Sequence, residues 1–151
     1  MKLKMLVGSG DKLGILAGPV LIVGLILNIL FPRWFTVAGP PDWLRYASLV
    51  MLVPGLIMWL WSVVLILTRV PQGKLITTGP FALVKHPLYT GVALLVLPWA
   101  GFLLNTWLGA AVGAVLYAGC RLFSRDEEKA LAEKFGSAWE AYTQKVKITC
   151  L

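Results

Sequence analysis

The stretch Pro87-Leu-Tyr-Thr-Gly-Val-Ala-Leu-Leu-Val-Leu-Pro-Trp-Ala-Gly-Phe-Leu-Leu-Asn-Thr-Trp-Leu-Gly-Ala-Ala-Val-Gly-Ala-Val-Leu-Tyr-Ala-Gly-Cys120 runs for 34 residues without a charge. One straight helix of that length would measure about 51 Å at ~1.5 Å per residue, well beyond the roughly 30 Å hydrocarbon core of a bilayer. Two short helices joined by a hairpin use the residues better. Asn105-Thr106, between Leu104 and Trp107, is the most polar point and the predicted tip. Upstream, 20 uncharged residues separate Lys12 from Arg33, and 23 separate Arg45 from Arg69. Each run is close to the ~20 residues that cross a membrane as a helix. The pattern predicts an all-α, multi-pass membrane protein with about four transmembrane helices, near 13–31, 46–67, 88–104 and 107–122, the last two forming a short helical hairpin.

Composition agrees. The 151 residues are 58% hydrophobic and 14% charged, with mean hydropathy +0.79, whereas soluble domains carry about 45–50% apolar and ~25% charged residues. A water-soluble globule is excluded, and the length suits a single domain over 1–151. The net charge of +7 is explained by its distribution. With a cytoplasmic N-terminus, Lys2, Lys4, Lys12, Arg69, Lys74, Lys85, Arg121, Arg125, Lys129, Lys134, Lys145 and Lys147 fall inside, and only Arg33 and Arg45 fall outside. That distribution obeys the positive-inside rule. It predicts cytoplasmic N- and C-termini, in what is expected to be a bacterial plasma membrane, and it needs no nucleic-acid partner. Trp34, Phe35, Trp43 and Trp107 suit an interfacial aromatic belt.

Small-residue patterns at Gly14 and Gly18, and at Gly109 and Gly113, are expected to pack helices closely. Pro19, Pro54 and Pro98 fall inside three spans, either kinking them around a cavity or sitting as ordinary membrane-helix prolines. Gly8, Gly10 and Gly14 miss the dinucleotide fingerprint by one residue and lack a preceding strand, so they read as a flexible lead into the first helix. His86, Cys120 and Cys150 are too few for a four-ligand zinc site, so no metal is expected. The two cysteines fit neither a redox pair nor a prenylation box and are read as unpaired. No cleavable signal is expected in the first apolar run.

The remaining ionisable groups gather in two segments, 74–91 and 121–147. In the first, Pro71, Gly73, Gly79-Pro80 and Pro87 make turns, while Lys85, His86 and Tyr89 bring a cation, an imidazole and a phenol to the mouth of the third span. That helix start also offers backbone N–H groups to an anion. Interfacial anchoring is the alternative use of these three side chains. In the second segment, Leu131, Phe135, Trp139 and Tyr142 form an apolar stripe, predicting an amphipathic helical tail, broken at Phe135-Gly136, along the membrane face. Glu127 and Glu128 follow the last span, where a carboxylate could meet a ligand cation or a ribose hydroxyl.

Leu75-Ile-Thr-Thr-Gly-Pro-Phe-Ala-Leu-Val-Lys-His-Pro-Leu-Tyr-Thr-Gly91 resembles the G-P-Y…R-H-P-x-Y-x-G motif of the isoprenylcysteine carboxyl methyltransferases and related phospholipid methyltransferases. Glu127-Glu-Lys-Ala-Leu-Ala-Glu-Lys-Phe-Gly-Ser-Ala-Trp-Glu-Ala-Tyr142 is similar to their E-E-x-x-L-x-x-x-F-G-x-x-Y-x-x-Y tail. The resemblance covers residues 75–147, and the first two spans match only as hydrophobic segments.

The resemblance implies a membrane methyltransferase using S-adenosyl-L-methionine in a pocket open to the cytosol, with a lipophilic acceptor reached through membrane lipids. By position it implies cofactor contacts from Lys74, Leu75, Ile76, Phe81, Lys85, His86, Pro87, Leu88, Tyr89 and Glu127. Arg121 or Arg125 would face the substrate, and Glu128 or His86 would deprotonate an amine or thiol acceptor. Lys85 stands where the family has Arg, Phe81 where it has Tyr, and Trp139 where the tail has Tyr. The chain also ends soon after Lys147, where relatives often continue through an Arg and a Pro. An isoprenylcysteine-like carboxylate, a phospholipid amine and a small thiol all stay open as acceptors. A membrane NADPH-dependent sterol or enone reductase, with a similar H-P-x-Y element, is the alternative enzyme; a non-catalytic four-helix membrane scaffold is the alternative outside catalysis.

Overall fold

The computed structural model describes residues 10–37, 39 and 41–150. Lys2, Lys4 and Gly8, used above for orientation and for the glycine pattern, lie outside the described residues. The elements are α1 (Gly10–Leu30), α2 (Pro32–Phe35), α3 (Asp42–Arg69), 3-10 turns at Val70–Gln72 and Gly79–Ala82, α4 (Pro87–Thr90), a π-helical segment (Gly91–Val96), α5 (Leu97–Leu103), α6 (Leu108–Phe135) and α7 (Ser137–Lys145). The described residues form no strand, only an isolated antiparallel bridge between Thr36 and Thr106.

Lys12–Leu30 and Asp42–Gln72 are the two described helices long and apolar enough to cross a membrane, and Pro87–Leu103 is a shorter apolar helix. Their outer faces stay uncovered: Ile15, Ile29 and Val50 are among many exposed aliphatic side chains, as expected where lipid is the solvent. Ser48 and Ser62 are fully buried on α3 and return their hydroxyls to the carbonyls of Leu44 and Met58, each at 2.7 Å. Their polarity is thus satisfied within the helix.

Glycines set the close approaches. A Cβ on Gly109 would strike the Leu97 carbonyl, and one on Gly113 the Ala93 carbonyl, so α6 packs against the 91–103 helix at backbone contact. The predicted role of this glycine pair is met, whereas Gly14 and Gly18 have no neighbour within 4 Å of an added Cβ. Instead α1 meets α6 through Gly24 against Leu108 and Gly119 against Leu13 and Leu16, which makes the two helices antiparallel. An exposed ion pair, Lys12–Asp126 at 3.0 Å, lies at one end of this contact.

Asn105 adopts φ 57°, a left-handed conformation that asparagine tolerates, and turns the chain between α5 and α6 at the predicted tip. The turn is tied to the segment after α1. Trp107 Nε1 donates to the Trp34 carbonyl at 2.8 Å, and the Trp107 ring stacks on Phe35 with centroids 4.9 Å apart.

Of the three helix prolines, Pro19 and Pro54 sit inside unbroken α1 and α3, while Pro98 accompanies a change of winding. Proline has no N–H and crowds the carbonyl four residues back. The turn before it is π-helical, with the Leu97 N–H donating to the carbonyl of Val92, five residues earlier.

The second segment departs from expectation in its first half. Cys120–Phe135 contains neither glycine nor proline, so the last predicted span and the start of the tail form one 28-residue helix, α6. Gly136, at φ 50°, then breaks it before α7. The stripe predicted to lie on the membrane instead turns inward: Trp139, Tyr142 and Val146 make a core with Leu75, Leu131 and Phe135.

Candidate active site

The 74–87 loop, α4, the charged half of α6 and α7 meet at the end of the bundle that carries Arg69 and Lys74. Prolines and glycines shape the loop. Gly73, at φ 68°, ends the turn after α3, and Gly79, at φ 63°, lets the backbone settle against the Trp61 ring, about where an added Cβ would sit at 3.0 Å. Pro80 and Pro87 then start a 3-10 turn and α4 respectively.

These elements enclose a cavity of ≈ 560 Å³. Lys74, Leu75, Ile76, Phe81, Lys85, His86, Pro87, Leu88, Tyr89 and Glu127, the ten residues singled out from sequence for a cofactor, all line it. Sequence reasoning missed three parts of the wall. Val63, Ile66, Leu67 and Val70 come from one face of α3 and its end; Ala130, Leu131 and Lys134 continue the Glu127 face of α6; Phe135, Trp139 and Tyr142 close the tail side. The spacing i, i+3, i+4, i+7 at 127, 130, 131, 134 was legible as one helix face, whereas the same spacing at 63, 66, 67, 70 lies in a run whose intervening Val64 and Leu65 are equally apolar.

Glu128, Arg121 and Arg125 do not line the cavity. At ~100° per residue, Arg125 points about 200° away from Glu127 on α6, and both arginines are exposed.

Glu128 lies behind the wall. Its Oε2 receives Lys85 Nζ at 3.0 Å, and its Oε1 faces His86 Nε2 at 3.8 Å. On the other side of the imidazole, His86 Nδ1 faces Glu127 Oε2, also at 3.8 Å. A buried histidine is thus bracketed by two consecutive carboxylates, one on the cavity and one outside it. The Glu128 carboxyl is held at about 2 by the facing His86 imidazole, and by Lys85 and Thr149, against the opposing effect of burial. Of these contacts, the one to Lys85 has hydrogen-bond length. The group is ionised at neutral pH and too acidic for a general base there.

The backbone beside His86 is claimed by the tail. Lys85 N–H donates to the Ile148 carbonyl at 2.9 Å and His86 N–H to that of Thr149 at 3.2 Å, and Pro87 carries no N–H. The N–H groups of Lys85 and His86, just before the third span begins, are therefore taken up by the chain itself. The same pairing returns Cys150 to α6, where it forms a disulfide with Cys120. This corrects the expectation of two unpaired thiols: their spacing of 30 residues gave no hint that the tail folds back. Among the described residues no cluster of metal-ligating side chains occurs.

No curated protein and no solved structure matches the chain. A family model does: that of the isoprenylcysteine carboxyl methyltransferase (ICMT) family matches residues 44–133. The matched region contains α3 from Leu44 onward, the 74–87 loop, the helical hairpin and both glutamates, and so most of the cavity wall, while α1 and α7 lie outside it. With more than half its length inside that match, the chain belongs to the isoprenylcysteine carboxyl methyltransferase family of membrane methyltransferases.

Proposed function

We propose that the protein transfers a methyl group from S-adenosyl-L-methionine to a lipophilic acceptor at a cytosol-facing site. The observation that carries this reading is the convergence of Lys74–Ile76, Phe81, Lys85–Tyr89 and Glu127 on one cavity. The residues fit such a cofactor. The volume is within the ~300–1,000 Å³ usual for small-molecule sites. Aromatic and aliphatic side chains offer an adenine surface, Glu127 offers an acceptor for ribose hydroxyls, and the exposed Lys74 and Lys134 offer cations for a carboxylate.

Bound there, the cofactor supplies a methyl group on a positively charged sulfur, open to in-line displacement. The chain's own work is alignment and exclusion of water. The α3 wall of Val63, Ile66, Leu67 and Val70 is wholly apolar and belongs to a helix long enough to cross the bilayer, which supports a lipophilic acceptor arriving on that side. A carboxylate acceptor would need no deprotonation. For an amine or thiol, the low pKa of Glu128 leaves His86 as the base. We further propose four spans, α1, α3, the 87–103 helix and the apolar half of α6, with both termini cytosolic.

Addition of S-adenosyl-L-methionine is expected to raise the melting temperature of the detergent-solubilised protein, and His86→Ala or Glu127→Ala to reduce that shift. Absence of binding to folded wild-type protein would overturn the proposal. NADPH binding in its place would favour a reductase, and binding of neither a scaffold.

A further inference from the structure

The cavity wall is rich in cations for a site that would receive a positively charged ligand. Three lysines, Lys74, Lys85 and Lys134, line it, against the single carboxylate of Glu127. Two of the three matter little, because Lys74 and Lys134 are exposed and water screens them. Lys85 differs. Its side chain is only 10% exposed, so its charge would act on a ligand with much less screening. The partner that offsets it, Glu128, stands outside the cavity at 3.0 Å from the ammonium.

Resting on the cofactor reading above, we propose that Glu128 is a specificity-determining residue that neutralises Lys85 so that the cavity accepts a sulfonium. This role differs from touching substrate or moving a proton. Glu128 acts through Lys85, whose ammonium it takes from behind, on the side away from the cavity. Ionisation of Glu128 at neutral pH supports the role.

A charge effect can be separated from a merely structural one by two ligands. S-adenosyl-L-methionine and S-adenosyl-L-homocysteine share the adenosine and amino-acid parts and differ by one methyl group and one positive charge. Titration calorimetry of the full chain in detergent would measure both, for wild type, Glu128→Gln, Lys85→Met and the double variant. Glu128→Gln is expected to weaken the sulfonium ligand relative to the neutral one by on the order of tenfold, the effect of one poorly screened charge across such a site. Lys85→Met leaves the Glu128 carboxylate without its ammonium partner and moves the ratio the opposite way. The double variant, with neither charge, returns the ratio close to the wild-type value even if both affinities fall. Equal weakening of the two ligands in Glu128→Gln, or failure of Lys85→Met to restore the ratio in the double variant, would overturn the inference while leaving the cofactor reading intact. If wild-type protein binds neither ligand, the cofactor reading fails and this inference with it.

Discussion

Tyr142 donates its phenolic hydrogen to the main-chain carbonyl of Phe81 at 2.7 Å, a bond between positions 61 residues apart. It joins α7 to the 74–87 loop, so two adjoining parts of the cavity wall are tied together. Burial, and then the negative charge of Glu128, push the phenol up to about 12, so it keeps its proton throughout the physiological range.

Tyr142→Phe removes that donor and leaves the Phe81 carbonyl without it. We expect a loss of about 1–3 kcal/mol of stability, the usual cost of an orphaned, partly buried group. Denaturant titration followed by tryptophan fluorescence checks this, since Trp139 lies beside Tyr142 with centroids 5.4 Å apart. An unchanged midpoint would mean that the bond contributes nothing to holding α7.

The low pKa of Glu128 has a pH signature. A carboxyl depressed in the folded state from 4.5 to about 2 contributes stability that is fully present above 4.5 and is lost as the pH falls towards 2. Melting temperature measured across that window should fall less steeply in Glu128→Gln than in wild type. Parallel curves would contradict the assigned contact with Lys85 and His86.

The two glycine pairs should behave oppositely. Gly109→Val would drive a side chain into the Leu97 carbonyl, costing about 3 kcal/mol or more where the backbone cannot withdraw. Gly14→Ala and Gly18→Ala place a Cβ in open space and should change stability by less than ~1 kcal/mol. Comparing the melting temperatures of the purified variants tests both halves of the statement.

The cross-link between Cys120 and Cys150 closes a loop with a sequence separation of 30. Reduction, or Cys150→Ser, is expected to cost about 3–4 kcal/mol by loop-closure entropy. Alkylation of the two thiols only after treatment with a reductant, together with a lower melting temperature, checks this. Ready alkylation of untreated protein would refute it.

Much of this architecture could be read from residue order. The charge-free runs mark the helices because an uncompensated charge is costly in hydrocarbon, and Asn105 marks the tip because it is the polar break in the longest run. The clustering of Lys85, His86 and Glu127 was legible only as what the resemblance of the two motifs implies. What escaped was everything set by contacts distant in sequence. Nothing near Glu128 shows that it would face Lys85 and the far side of His86 rather than the cavity. Nothing near Val63 or Ile66 separates a cavity wall from a lipid-facing stripe, because both need the same aliphatic side chains. The inward turn of Trp139 and Tyr142 likewise depends on the 74–87 loop folding over them.

The π-helical segment at Gly91–Val96 has a consequence for which sequence changes this helix can survive. Such a segment accommodates one more residue than the α-helix it interrupts. Deleting a single codon within 91–96 would let the helix revert to regular α winding, with little loss of helical hydrogen bonding. Because the i→i+5 turn is wider, its extra residue adds almost no net rotation: such a segment turns through about the same angle as an α-helical stretch one residue shorter. His86, Pro87, Leu88 and Tyr89 would therefore stay in phase with Glu127 and Glu128, and α5 would keep its glycine contacts with α6. The bulge makes 91–96 the stretch of this helix where one residue can be lost without turning the site away from its partners, whereas a deletion within the regular winding of α5 would turn the two parts by about 100°.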